Sequence, residues 1–228
     1  VQTCALPIFG ESLLGLPTLV GTLLLVAGIA LFTALGNDSV EALFKWVSLL
    51  LYGVYALFVV LALVKFGDRI DVAFDDRSVG PDWLVLGVTY AAYNIVGAIM
   101  ILPVVRHLKS DRDALVSGLL AGPMAMIPAL LFFICLAAWP EAASAALPSD
   151  FLLGQLGIPI LHAAFQIMIF AALLESGTGT VNAFIERVAG AFQDRGRIMS
   201  AAQRAGVSLV LLTGAVFLAD RFGIVELI

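Results

Sequence analysis

Six long stretches of this chain contain no Asp, Glu, Lys or Arg, and they limit the fold more than any other feature. A helix needs about 20 apolar residues to cross the hydrocarbon core of a bilayer. Five stretches meet that length within ordinary error, and the last does so only with Gln203 and Phe222 at its ends. The stretches are Ser12–Asn37, Trp46–Val64, Trp83–Val105, Ala114–Pro140, Phe151–Leu174 and Ala205–Ala219. They predict about six spanning helices, at about 12–35, 43–65, 83–105, 114–138, 153–190 and 203–220.

The composition places these stretches in a membrane. Hydrophobic residues make up 61% of the 228 residues, charged residues make up 13%, and the mean hydropathy is +1.06. A soluble domain carries about 25% charged residues and under half apolar ones. The stretches also lack the alternation of a membrane strand. We therefore predict an all-α, polytopic transmembrane bundle whose partner is the lipid bilayer, with no role in binding nucleic acid.

Basic residues predict which loops face the cytoplasm, because Lys and Arg concentrate there. The loop at 140–150 has none and is expected outside. The acidic loop between the second and third stretches, which includes Gly67–Asp82, is expected outside by alternation, although Lys65, Arg69 and Arg77 count against this. Two loops are expected to be cytoplasmic, one carrying Arg106, Lys109 and Arg112 and the other Arg187, Arg195, Arg197 and Arg204.

The first eight residues, Val1 to Ile8, do not resemble the helix that follows them. They match a translation of the end of a common sequencing-library adapter, whereas the alternative is an ordinary N-terminal tail. The adapter interpretation predicts that residues 1–8 are not native and that coding sequence continues upstream of Phe9. Residues 9–228 are then one transmembrane helical domain.

Polar residues in the stretch 83–105 form the first candidate site. Tyr90, Asn94 and Gly97 follow each other at i, i+4 and i+7, so they share one face of a helix. An Asn amide in hydrocarbon needs a partner. That partner is either a neighbouring helix, with Gly97 allowing close approach, or a ligand at a break in the helix.

The second candidate site begins at Glu175 and continues through Ser176, Thr178 and Thr180, which alternate with glycines. An ionisable group near membrane depth is a functional hypothesis by default. The hydroxyl and carbonyl oxygens of this segment could bind a small hard cation. The alternative is that Glu175 lies at the cytoplasmic interface and the small residues form a packing seam. With Pro159 at the outer boundary, Glu175 lies roughly 24 Å inward, at about 1.5 Å per residue.

A series of motifs occurs in order along the chain: an acidic loop, Trp83, Tyr90-Ala-Ala-Tyr-Asn94, Gly118-Leu-Leu-Ala-Gly122, Ser176-Gly-Thr-Gly-Thr-Val and Glu186-Arg187. Together they resemble the YkvI-like family of bacterial membrane proteins, which belongs to the superfamily with the leucine-transporter (LeuT) fold. The resemblance implies a partial LeuT-like inverted-repeat fold in the bacterial cytoplasmic membrane. The six helices would be the fourth to ninth, so the first three and the tenth are expected outside this sequence.

The resemblance also implies roles for the candidate residues. Tyr90, Asn94 and Gly97 would line half of a substrate site, Ser176, Thr178 and Thr180 would form part of a sodium site, and Glu175 would lie on an ion pathway. The leading hypothesis is therefore a cation-coupled secondary transporter of a small solute, working by alternating access. Na⁺ or H⁺ would be the coupling ion, with no bound cofactor or metal. The alternative is a membrane scaffold or sensor that keeps the fold.

An enzyme is not expected, because the sequence has no HExxH or GxSxG motif and no paired intramembrane acids. No catalytic residue is therefore assigned.

Overall fold

A computed structural model describes residues 18–75, 80–95, 105–145 and 147–222 of the chain. Within these ranges, the side chains at 18–19, 93–94, 106 and 219–222 are not described. The predictions for residues 1–8 lie outside the described residues.

The described residues form seven α-helices and two short 3₁₀ turns, at Val105–His107 and Pro140–Ser144, and none of them lies in a strand. The prediction of an all-helical chain is confirmed for this part of the sequence. The helices are α1 (Thr18–Leu35), α2 (Asn37–Asp75), α3 (Trp83–Ile95), α4 (Asp111–Ala137), α5 (Pro148–Leu156), α6 (Pro159–Gln193) and α7 (Ala201–Phe222).

Four of these helices are long and apolar enough to cross a membrane, compared with the six that the uncharged stretches predict. They are α2, α4, α6 and the part of α7 from Ala201 to Leu218. The apolar parts described for α1 and α3, Val20–Leu35 and Trp83–Ala92, are shorter. Both predicted spans include residues outside the described ranges, at 12–17 and 96–104. Four such helices indicate a multi-pass membrane protein.

The exposed surface of α4 is consistent with a lipid environment. Only 6% of an apolar 18-residue stretch of this helix is buried. The side chains of Leu115, Leu119, Met126 and Phe133 are all more than half exposed. A helix in water would cover such side chains, since large contiguous apolar patches are rare on soluble proteins.

Helix α2 extends beyond both ends of its predicted span at 43–65, so those predicted bounds are wrong. At about 1.5 Å per residue its 39 residues measure about 58 Å, nearly twice the thickness of the hydrocarbon core. A lack of charge identifies only the part in lipid, whereas the helix continues into the charged segment. Aromatic contacts hold this continuation: Phe66 packs edge-on against Trp139, and the Arg69 guanidinium lies 3.8 Å from the centre of the same ring.

The predicted helix at 153–190 is two helices, which is a second correction. Helix α5 ends at Gly157, whose φ of +66° is a left-handed conformation that glycine adopts easily, and its N–H donates to the carbonyl of Leu153. Pro159 then starts α6, because proline favours the first turn of a helix. Residues 151 to 174 include no charged side chain, so an uncharged stretch gives no sign of this break.

Contacts divide the chain into two compact units. One contains the described residues of 54–162, including Trp139 and its contacts with Phe66 and Arg69. The other contains the described residues of 1–53 and 163–228. In the second unit, α1 packs against α7 and against α6. Its buried apolar core consists of Leu25, Ile29, Val181, Ile185, Ala189 and Met199.

Candidate functional site

Helix α6 continues without interruption through the Gly-Thr-Gly segment of the second candidate site. Its backbone carbonyls there belong to the helical ladder, so the side chains are the available ligand groups. Close packing on α1 fixes this part of α6. A Cβ added at Gly177 would lie 2.5 Å from Cδ1 of Ile29, and one added at Gly28 would lie 2.9 Å from Cδ1 of Leu174.

The continuous helix does not bring Ser176, Thr178 and Thr180 together. At 3.6 residues per turn, Thr178 is turned about 160° away from the other two around the helix axis. Thr180 is exposed, and its hydroxyl donates to the carbonyl of Ser176 at 2.9 Å. Ser176 is half-buried. Only Thr178, which is 0% exposed, lies in the interior.

The Thr178 hydroxyl is unusual because it has no hydrogen-bond partner among the described residues. A buried threonine in a helix ordinarily bonds a carbonyl of the preceding turn, as Thr33 does with Ile29 at 2.8 Å. Leaving a buried hydroxyl without a partner costs about 1–3 kcal/mol. An orphaned buried oxygen of this kind requires an explanation, which can be a missing ion or water.

Asn182 supplies a second such oxygen one turn further along the same face. It is 3% exposed, and its Nδ2 donates to Oδ1 of Asn37 at 2.6 Å. Its own Oδ1 is buried and has no partner in the described part of the chain. Asn37 is placed there by Gly36, whose φ of +92° turns the chain sharply between α1 and α2.

Glu175 lies on the same stripe of α6 as these two residues. Glu175, Thr178 and Asn182 are spaced i, i+3 and i+7, within about 60° of one another around the axis. Glu175 is half-buried and makes no ion pair or hydrogen bond among the described residues. The stripe therefore offers one carboxylate and two neutral oxygens, the oxygen-rich chemistry that hard cations prefer.

The polar groups next to this stripe are paired, in contrast to it. Thr33 of α1 and Ser208 of α7 are both 0% exposed, and their hydroxyls are hydrogen-bonded at 3.1 Å. Further along α6, the Glu186 carboxylate accepts from Arg204 Nη1 at 2.7 Å. Each of these four side chains is therefore hydrogen-bonded, whereas the buried oxygens of Thr178 and Asn182 have no partner among the described residues.

The residues of the first candidate site are described only in part. Tyr90 lies on α3 and is 60% exposed. Asn94 is in the same helix, but its side chain lies outside the described residues, as does the whole of Gly97. The prediction that Asn94 faces the interior therefore stays a prediction.

Sequence reasoning missed Asn182 and Asn37 as site residues. A signal for Asn182 was present, because Asn182 follows Thr178 by four residues and Glu175 by seven. The candidate residues Ser176, Thr178 and Thr180 follow each other at every second position, and residues at that spacing do not share one face of a helix. Nothing local in the sequence links Asn37 to this face.

No protein-family model, curated protein or solved structure matches this chain. Membership of the YkvI-like family and the LeuT-like fold therefore remain predictions.

Proposed function

We propose that this protein is a cation-coupled secondary transporter of a small solute that works by alternating access. The observation that supports the proposal most strongly is a pair of buried oxygens, on Thr178 and Asn182, that lie one turn apart on an apolar helix and have no partner among the described residues. A buried oxygen without a hydrogen-bond partner is energetically costly, and a bound cation would remove that cost.

The proposal gives the two kinds of oxygen different roles. The neutral oxygens of Thr178 and Asn182 contribute to a sodium site, because they coordinate without changing charge. Glu175 is one turn closer to the start of α6, and its carboxylate attracts the cation along its route. Tyr90, Asn94 and Gly97 are proposed to contribute to the solute site, in the arrangement of the YkvI-like, LeuT-fold family.

The alternative is a scaffold or sensor that keeps the fold without transport. In that case the unpaired oxygens would bind only structural water. Buried waters typically make about three hydrogen bonds to otherwise unsatisfied groups, so water could satisfy Thr178 and Asn182 equally well. Only a measurement of solute transport therefore distinguishes the transporter from the scaffold or sensor.

The test uses the protein with any native coding sequence upstream of Phe9 and downstream of Ile228 restored, reconstituted into liposomes on a solid-supported membrane. A panel of zwitterionic, cationic and anionic small solutes is applied under an inward Na⁺ gradient and, separately, an inward H⁺ gradient. At least one solute should evoke a current that requires the Na⁺ gradient. Thr178→Val should reduce this current about tenfold, whereas Thr180→Val should preserve it.

Two results would oppose this proposal. Folded protein that gives no current with any solute under either gradient favours the scaffold alternative. A solute current that follows only the H⁺ gradient keeps transport but removes the sodium role from Thr178 and Asn182.

A further inference from the structure

A groove with an apolar lining lies where the end of α6 meets the start of α7. It has a volume of about 420 Å³, which is within the usual range for ligand pockets. Val188 and Phe192 of α6 form one wall, Gly206 and Val210 of α7 form the other, and Met199 contributes from the connection. Gln203 is the one lining residue with a polar side chain among those described. An occupant of this groove must therefore be apolar.

The segment around the groove carries a concentration of positive charge. Arg187, Arg195 and Arg197 are exposed and make no ion pair among the described residues. Arg204 differs, since its guanidinium is bound to Glu186. Three unpaired guanidinium groups near an apolar groove are complementary to a molecule with an anionic head and a hydrocarbon tail.

The connection between the two helices also places an apolar side chain beside these arginines. Ile198 is 90% exposed, although its neighbours in sequence are Arg197 and the buried Met199. An exposed isoleucine beside basic residues suits the boundary between headgroups and acyl chains. The groove would then lie at the depth where a phospholipid joins its headgroup to its tail.

We propose that this groove binds one acyl chain of an anionic phospholipid, whose phosphate is held by Arg195 and Arg197. An extended peptide is a poor occupant, because an apolar lining leaves the peptide's backbone N–H and C=O groups without partners. A phospholipid tail has no such groups. This inference is independent of the transport proposal, because it concerns a surface away from Thr178 and Asn182.

Native mass spectrometry of the full-length protein, released from micelles containing equal amounts of phosphatidylglycerol and phosphatidylcholine, tests the inference. The wild type should retain one phosphatidylglycerol preferentially. The double variant Arg195→Gln, Arg197→Gln should lose roughly fivefold in that preference for each arginine removed, from the usual attraction per basic side chain. Its matched control, Lys109→Gln with Arg112→Gln, removes two exposed charges from the other predicted cytoplasmic loop and should change nothing.

A second pair of variants tests the groove without altering charge. A Cβ added at Gly206 meets no atom within 4 Å, so Gly206→Leu should fill the groove without displacing protein atoms. It should abolish the retained lipid. Gly214→Leu, at an equally open position further along α7, should keep it.

Three outcomes would overturn the proposal. Equal retention of both lipids would mean ordinary annular lipid, and loss with the Lys109 and Arg112 control would mean a general charge effect. Lower thermal stability of Gly206→Leu with unchanged lipid retention would mean that protein fills the groove.

Discussion

Asn182 of α6 and Asn37 of α2 are joined by a hydrogen bond, in which Nδ2 of Asn182 donates to Oδ1 of Asn37 at 2.6 Å. The bond connects residues 145 positions apart in the chain and ties α6 to the sharp turn at Gly36. It leaves Oδ1 of Asn182 buried and without a partner among the described residues. The bond therefore orients one of the two oxygens on which the proposed cation site depends.

A double-mutant cycle on Asn37→Ala and Asn182→Ala measures the strength of this bond. We expect a coupling free energy of about 0.6 kcal/mol and at most about 1.7 kcal/mol, the average and the maximum for hydrogen bonds between membrane helices. Unfolding in SDS, followed by circular dichroism, gives the four free energies of unfolding. Additive effects of the two substitutions would show that the bond contributes nothing.

Two buried threonines should respond in opposite ways to replacement by valine. Thr33 and Thr178 are both 0% exposed, but only Thr33 has hydrogen-bond partners among the described residues. In a buffer with choline in place of Na⁺, Thr33→Val should lower the free energy of unfolding by about 1 kcal/mol. Thr178→Val should leave it unchanged or raise it by up to about 1 kcal/mol, because an unpaired hydroxyl is removed. Equal destabilisation by both would mean that the Thr178 hydroxyl is already satisfied without a cation.

Gly177 should tolerate alanine poorly, although both residues are small. The added Cβ would lie 2.5 Å from Cδ1 and 3.3 Å from Cγ1 of Ile29, which is itself buried and has little room to move. Overpacking of this kind costs about 1–3 kcal/mol. Gly190→Ala, in the same helix but with no atom within 4 Å of the new Cβ, should instead gain about 0.5–1 kcal/mol. Thermal unfolding of both variants in detergent checks this, and equal melting temperatures would contradict close packing of α6 on α1.

Cysteine labelling in intact cells tests the predicted orientation. Ser144 and Lys109 are both exposed and Cys135 is buried. Replacing Cys4 by Ser in every variant should therefore keep the background reactivity low. Ser144→Cys should react with a membrane-impermeant maleimide, and Lys109→Cys should react only after permeabilisation. The reverse pattern would overturn both the orientation and the resemblance that depends on it.

The sequence predicts the helices that match uncharged stretches, but it does not predict how far a helix continues into a charged segment. Apolar stretches predict α4 and α7 to within about three residues, because the same side chains that enter lipid also form the helix. The charged residues between Lys65 and Asp75 show that the uncharged stretch has ended, but they do not show that the helix continues. This continuation depends on Trp139, which is more than sixty residues away in the sequence, and no local pattern reveals that contact.

The candidate site was predictable in the same partial way. Thr178 and Glu175 could be chosen from the sequence because polar side chains are rare in such a helix. Which hydroxyl of the Ser-Gly-Thr-Gly-Thr segment is buried depends on the continuity of α6 and on the packing of Gly177 against Ile29. Asn37 depends on tertiary structure alone, since a turn at Gly36 brings it to Asn182.

Equilibrium binding of ²²Na⁺ to the purified full-length protein tests the central claim most directly. Wild type and Thr180→Val should bind Na⁺ saturably and with similar affinity, because the Thr180 hydroxyl is exposed and bonded to Ser176. Thr178→Val should weaken binding about tenfold, equivalent to about 1.4 kcal/mol for one lost oxygen ligand. Absence of saturable binding by the wild type, or equal weakening by Thr180→Val, would contradict the assignment of Thr178 and Asn182 to a sodium site.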